Sequence, residues 1–239
     1  MNRHYAYFDP EDAIPQATIR DLQGSSDDTL LTHLLSAMAQ PPEFALDAGA
    51  GAGRLSATLC AHADRVLLLD PDAARLRRAR RVTPKADVWC GRIQEYGAAY
   101  SSVFDFILIA HVIQHTPTAH RLAIAHAVHS LLRPTGIALW LFTCREAGSP
   151  SHLISKETSH GHETVVSSRI EFDNAALNPS IGRLPVWHAS QSELHELFQE
   201  AGLDCAVFER YRTFSYDIHS PHRQLRAAEH YAITHRGSM

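Results

Sequence analysis

Two carboxylates, three glycines and a pair of histidines have the types and spacing to do chemistry in this sequence. Asp47 ends a short apolar run, and Gly49, Gly51 and Gly53 follow it at alternate positions in DAGAGAG. Glycines spaced in this way let a backbone turn pass directly beneath a bound group without side-chain clash. Asp70 ends a second apolar run, RVLLLD, where a carboxylate at a strand end can accept a pair of ribose hydroxyls. His111, Gln114 and His115 follow a third such run, FDFILIA, and a neutral imidazole there could accept a proton near neutral pH.

Alternating strands and helices must position these groups. Asp27 and Asp28 open a helix carrying Leu30, Leu31, Leu34, Leu35 and Met38 at helical spacing, closed by Pro41 and Pro42. Strands are expected at 43–47, 65–70, 86–90, 104–110 and 137–143, with helices at 54–63, 71–81 and 118–132 between them. Nearly unbroken apolar strands alternating with helices predict a parallel sheet covered on both faces, an α/β doubly wound, Rossmann-like architecture. Residues 146–190, rich in Ser, His, Gly, Asn and Pro with a strand-like stretch at 164–172, break that rhythm and read as an insertion acting as a lid. A helix at 190–201, capped by Ser190 and Glu193, and two antiparallel strands at 204–214 and 229–235 complete a seven-stranded sheet. The expected organisation is one domain: an N-terminal arm and helix at 1–40, a binding core at 43–144, the insertion at 146–190, and a closing helix and hairpin at 190–239.

The glycine spacing separates two kinds of nucleotide corner. A dinucleotide fingerprint needs its third glycine at position 54, which is Arg54. The pattern found, acid at 47 and glycines at 49, 51 and 53, resembles the first motif of class I S-adenosylmethionine-dependent methyltransferases. The likeness covers roughly residues 30–144, and LLRPTGIALW at 131–140 resembles that family's turn before its fifth strand.

The resemblance implies S-adenosyl-L-methionine as cofactor, held by Asp47, Ala48, Gly49, Gly51, Gly53, Asp70, Pro71, Arg92, Ile93, Ala110 and His111. Relatives often carry an acid where Arg92 stands, so the adenine is expected to be read by the backbone of Ile93 and by apolar contact. Glu95 is read as a nearby carboxylate or as a solvated loop residue. The implied reaction is in-line methyl transfer to O or N of a small-molecule acceptor. His115 is then the first candidate for a base, or a residue packing against the helix after it, and His111 is a wall of the cofactor pocket. Tyr7, Gln114, His115, Trp187 and His188 are expected around the acceptor, with Trp187 alternatively anchoring the insertion. A fold relative using the same cofactor for cyclisation or decarboxylation would present the same corner.

Bulk properties narrow the partners. The 239 residues carry 22 Lys and Arg against 26 Asp and Glu, a formal charge of −4, which argues against a nucleic-acid surface. The run Arg75, Arg77, Arg78, Arg80 and Arg81 reads as the solvated face of a helix. Four scattered cysteines and no long N-terminal apolar run fit a cytoplasmic protein, monomeric or homodimeric, with no membrane association. With 17 histidines present, His160-Gly161-His162-Glu163 is a metal half-site lacking a third ligand at diagnostic spacing, and no metal is expected.

Overall fold

The computed structural model describes residues 20–24, 26–158, 161–180, 182–218 and 223–237. Among these, the strands are β1 (Arg20–Gly24), β2 (Phe44–Ala48), β3 (Arg65–Asp70), β4 (Asp87–Cys90), β5 (Phe104–Ala110), β6 (Leu132–Arg145), β7 (His152–Thr158), β8 (Gly161–Val166), β9 (Arg183–Trp187), β10 (Leu203–Ile218) and β11 (Arg223–Arg236). The helices are α1 (Asp27–Ala37), α2 (Ser56–His62), α3 (Ala73–Val82), α4 (Ile93–Ala99), α5 (Thr118–Leu131), α6 (Arg169–Leu177) and α7 (Gln191–Glu200).

The strand order β4-β3-β2-β5-β6-β11-β10 forms the expected seven-stranded sheet. Its first five strands run parallel, and β11 is antiparallel to both β6 and β10. The order reverses beside β2, so the crevice at the carboxyl ends of β2 and β5 is the binding position of a doubly wound sheet.

Period-two alternation divides the apolar strands between two cores. Leu46, Leu67, Leu69, Ile107, Ile109, Trp140 and Phe142 face α4, α5 and α7. Ala45, Val66, Leu68, Phe106, Leu108, Leu139 and Leu141 face α1, α2 and α3. Each fully buried leucine-sized side chain contributes about 1.5–3 kcal/mol, so both faces hold the site's framework rigid. Local signals end the helices where they should. Ser26 accepts the Thr29 amide at the start of α1, and Asp72 accepts the Ala74 and Arg75 amides at the start of α3. On α3 only Leu76 and Ala79 are buried, leaving Arg77, Arg78, Arg80 and Arg81 exposed.

Three elements differ from the sequence reading. Residues 20–24, expected to lie in an arm outside the sheet, pair as β1 with β10. A short helix, α4, follows β4, and its first turn is closed by the Arg92 amide donating to Glu95 at 3.0 Å. Glu95 is therefore a helix-capping carboxylate and not a loop residue. Within 146–190, the strand expected over 164–172 stops at Val166, and α6 begins beyond Ser168, which caps it together with Glu171. β7 pairs antiparallel with both β8 and β9, so the insertion is a three-stranded sheet backed by one helix. It meets the main sheet through the parallel pair Ile218 with Thr164 and through an isolated parallel bridge between Cys144 of β6 and Ala189.

Candidate active site

The glycine corner is built by backbone stitching. The amides of Gly49 and Ala50 both donate to the Leu69 carbonyl, at 2.7 and 3.0 Å, which ties the end of β2 to β3. Gly49, Gly51 and Gly53 have φ of 82°, 54° and 89°, a left-handed backbone that side chains strain. A Cβ on Gly53 would also stand 2.9 Å from the Ala79 Cα, so the corner sits directly on α3.

Asp70 locks the other side. Its Oδ2 accepts the Gly51 amide at 2.9 Å and its Oδ1 accepts the Asp72 amide at 2.8 Å. Each oxygen keeps a second lone pair, the capacity a ribose diol requires. Burial raises its pKa, and the two amide bonds oppose that shift. Asp47 accepts the Ser56 hydroxyl at 2.6 Å. Burial pushes its pKa up to about 6, with the Ser56 bond pulling the other way. Ala48 is buried at the end of β2, and Pro71 follows β3 with its carbonyl facing Cys90 Sγ at 3.8 Å. Arg92 is exposed at the start of α4, whereas Ile93 is buried in the core beside Tyr96.

The turn after β5 closes over this corner. His111 follows Ala110 with φ of 57°, an unusual conformation for a residue with a side chain, and its amide donates to the Leu141 carbonyl at 2.8 Å. Next, Val112 packs against Gly49. Gln114 lies in the 3-10 turn Ile113–His115, where its Oε1 accepts the Thr143 amide at 3.1 Å. That bond orients the amide, leaving Nε2 to face His115 Nε2 at 3.5 Å. His115 Nδ1 donates to the Pro185 carbonyl of β9 at 2.8 Å, so the turn is joined to the insertion. Burial pushes the pKa of His115 down to about 4, against the effect of that bond, and the ring is neutral at physiological pH.

Beside His111 lies a cluster that sequence reasoning missed. Asp27 Oδ2 accepts Arg54 at 2.6 Å and faces His111 Nε2 at 3.0 Å, while Oδ1 accepts the Tyr211 hydroxyl at 2.7 Å. Glu229, on β11, accepts Arg212 Nε at 2.6 Å. Donor atoms of Asp27, His111 and Glu229 all lie within 4.8 Å of one another, as close as the ligands of a divalent cation. Two guanidinium groups, however, already neutralise the carboxylates. Asp27 carried only a helix-capping signal in the sequence, and nothing local links residues 27, 54, 111, 211 and 229.

The remaining predicted residues lie toward the insertion. Trp187 is buried, with the Arg121 guanidinium 3.6 Å from its ring centroid. His188 is buried next to it, and burial pushes its pKa down to about 3. His152 packs edge-on against Phe172 at 5.1 Å. Tyr7 and His160 lie outside the described residues.

With this geometry in view, comparison with known proteins is decisive for the fold. Residues 45–136 match the model of the methyltransferase domain family. That match covers the central part of the chain, where the fold is that of a methyltransferase domain. Among curated proteins, none matches at the sequence level. Solved structures agree on the architecture. DhpI, in complex with SAH, superposes with a TM-score of 0.57 at 17% identity over 87% of this chain and 83% of its own. The 1,6-didemethyltoxoflavin-N1-methyltransferase of Burkholderia thailandensis, with bound 1,6-didemethyltoxoflavin and S-adenosylhomocysteine, gives 0.56 at 19% over 87% and 80%. An S-adenosylmethionine-dependent methyltransferase from Methanosarcina mazei gives 0.62 at 13% over 87% and 98%. The matched region runs from β2 to the start of β6 and includes the whole glycine corner and the His111–His115 turn. No helix among the described residues is long and apolar enough to cross a membrane.

Proposed function

We propose that this methyltransferase binds S-adenosyl-L-methionine at the Gly49–Gly53 corner and transfers its methyl group to O or N of a small-molecule acceptor. One observation carries the reading: Asp70 fixes the corner through the Gly51 and Asp72 amides while keeping one lone pair per oxygen for the ribose. The cofactor supplies an electrophilic methyl on a sulfonium, and much of the rate comes from aligning the acceptor with it.

The chain's own residues then have distinct tasks. Asp47, at the end of β2, draws the cofactor's ammonium group. Ala48, Pro71, Arg92, Ile93 and Ala110 line the rest of the cofactor path. Gln114, His115, Trp187 and His188 border the acceptor side, and the insertion closes over it as a lid, joined to the turn by the His115–Pro185 bond. His115, neutral and donating from Nδ1, presents Nε2 as the proton-accepting nitrogen. The small-molecule class is supported by a structural neighbour whose bound acceptor is 1,6-didemethyltoxoflavin.

The test is titration of the purified protein with S-adenosylhomocysteine by calorimetry, alongside Asp70→Asn and Asp70→Ala. Binding to wild type and loss of at least about tenfold in both variants is expected, a change of about 1.4 kcal/mol or more. Absence of binding to a folded wild-type protein overturns the reading.

A further inference from the structure

We propose that Asp27, in the first turn of α1, is a positioning residue of this site: it fixes His111 as a doubly donating imidazolium against the glycine corner, leaving His115 as the ring that accepts a proton. The inference rests on the methyl-transfer reading for its catalytic consequence, but the state of His111 follows from hydrogen-bond polarity alone.

Gln114 sets the polarity of the hydrogen bonds around His111. The Thr143 amide can only donate, so the Gln114 atom 3.1 Å from it is the carbonyl oxygen Oε1. The same oxygen lies 3.4 Å from His111 Nδ1, a longer contact that is favourable only if Nδ1 carries a hydrogen. Across the ring, Nε2 is 3.0 Å from Asp27 Oδ2. Asp27 stays ionised because Arg54 and Tyr211 donate to it at 2.6 and 2.7 Å. Burial works against that charge, but the His111 hydrogen bond and charge, with Arg54 and Tyr211, hold its pKa well below the carboxylate range. Nε2 must therefore carry a hydrogen too. A neutral His111 would point one bare nitrogen at an acceptor lone pair in either tautomer, and only the imidazolium satisfies both sides.

Every charged neighbour enters the balance. Asp27 on α1 and Glu229 on β11 are the anions, facing Arg54 after the corner, Arg212 on β10 and the neutral His115 of the turn. Burial disfavours a charged ring, yet the Asp27 bond and charge, with Glu229, shift the His111 pKa upward. A divalent cation would have to displace this proton while sharing Asp27 and Glu229 with two guanidiniums, so the proton is the better occupant.

The consequence is a division of labour. His111, with both N–H bonds committed and its backbone held at φ of 57°, cannot take a proton from an acceptor. Gln114 Nε2, whose identity is fixed by the same Thr143 contact, faces His115 Nε2, which is therefore the lone-pair nitrogen of its ring. Asp27 joins α1, β10 and the corner to this arrangement without touching the reacting atoms.

Nitrogen-15 NMR of the histidine rings, in the presence and absence of S-adenosylhomocysteine, tests this in wild type, Asp27→Asn and Tyr211→Phe. In wild type both His111 nitrogens should remain protonated above the ordinary imidazole value. Asp27→Asn should lower the His111 pKa, and Tyr211→Phe should lower it by less. If Asp27→Asn does not fold, the Tyr211→Phe shift decides, and no shift overturns the proposal. A His111 that titrates at or below the ordinary value, or whose proton is displaced by added Zn²⁺ or Mn²⁺, overturns it as well. Failure of S-adenosylhomocysteine to bind wild type would instead overturn the cofactor reading, while the His111 titration still reports on Asp27.

Discussion

Val112 occupies the space that a side chain on Gly49 would need, well inside van der Waals contact. The turn after β5 and the corner after β2 are thus fitted to each other across the crevice. Gly49→Ala should destabilise the protein by about 2–4 kcal/mol, combining overlap with the cost of a non-glycine residue at positive φ. In the double variant Gly49→Ala, Val112→Ala the overlap is relieved and the backbone cost of about 1–2 kcal/mol remains. Urea unfolding of the four proteins measures the difference. Simple additivity of the two single variants would refute the contact.

Buried neutral histidines should make the protein acid-sensitive. His188 and His115 have pKa values pushed down by burial to about 3 and about 4. The unfolded chain takes up these protons first, so stability is full above the ordinary value near 6.5 and falls as pH drops toward those lower values. Each group contributes a slope of up to about 1.4 kcal/mol per pH unit. Unfolding free energies measured across this range should flatten in His188→Gln, and an unchanged slope would show that the ring is solvated.

Asp47 predicts the opposite trend. Its pKa is raised to about 6, so the folded state holds the proton more tightly and stability falls as pH rises from the ordinary carboxylate range through that value. Asp47→Asn keeps an acceptor for Ser56 and removes the buried charge. It should be as stable as wild type or more so at neutral pH, yet bind S-adenosylhomocysteine more weakly. Calorimetry and thermal unfolding on the same sample separate the two effects.

The insertion is held to the core by Arg121. Its Nε donates to Thr116, its guanidinium lies over Trp187 and within 5.2 Å of the Phe172 ring centroid, and Nη2 is buried without a hydrogen-bond partner. Arg121→Ala should cost about 2–4 kcal/mol through lost stacking, packing and hydrogen bonding. Arg121→Met should cost less, because it keeps the apolar contact and removes the unpartnered nitrogen. Hydrogen exchange should quicken in β7, β9 and α6 before it does in β2 or β5. Uniform acceleration throughout the chain would contradict this anchoring role.

What could be read from the sequence was whatever local chemistry determines. The strands at 65–70 and 104–110 were legible because burial on both faces demands an unbroken apolar run. Ser190 and Glu193 announced α7 as a capping box. The same signal at Ser168 and Glu171 was overshadowed by the strand-like residues before it, so α6 was missed. α4 is only seven residues long and contains Gly97, whose missing side chain lets the helix pack closely on Ala127. The polar segment at 20–24 has no strand signature of its own and acquires its pairing from β10. The glycine corner was visible for the same reason that it works, since its backbone geometry admits few other residues. The Asp27 cluster was not, because five ordinary-looking residues meet only through the fold.

The position of β11 between β6 and β10 has a consequence for biosynthesis. β11 is made after β10 and yet lies inside the sheet, and β1 and Asp27 await partners on β10 made about 190 residues later. Until then β6 presents an open edge whose alternate residues are Trp140 and Phe142 on one face and Leu139 and Leu141 on the other. A nascent chain in that state offers a template for β pairing with other chains, so truncation before β11 should yield aggregation and not a smaller folded core.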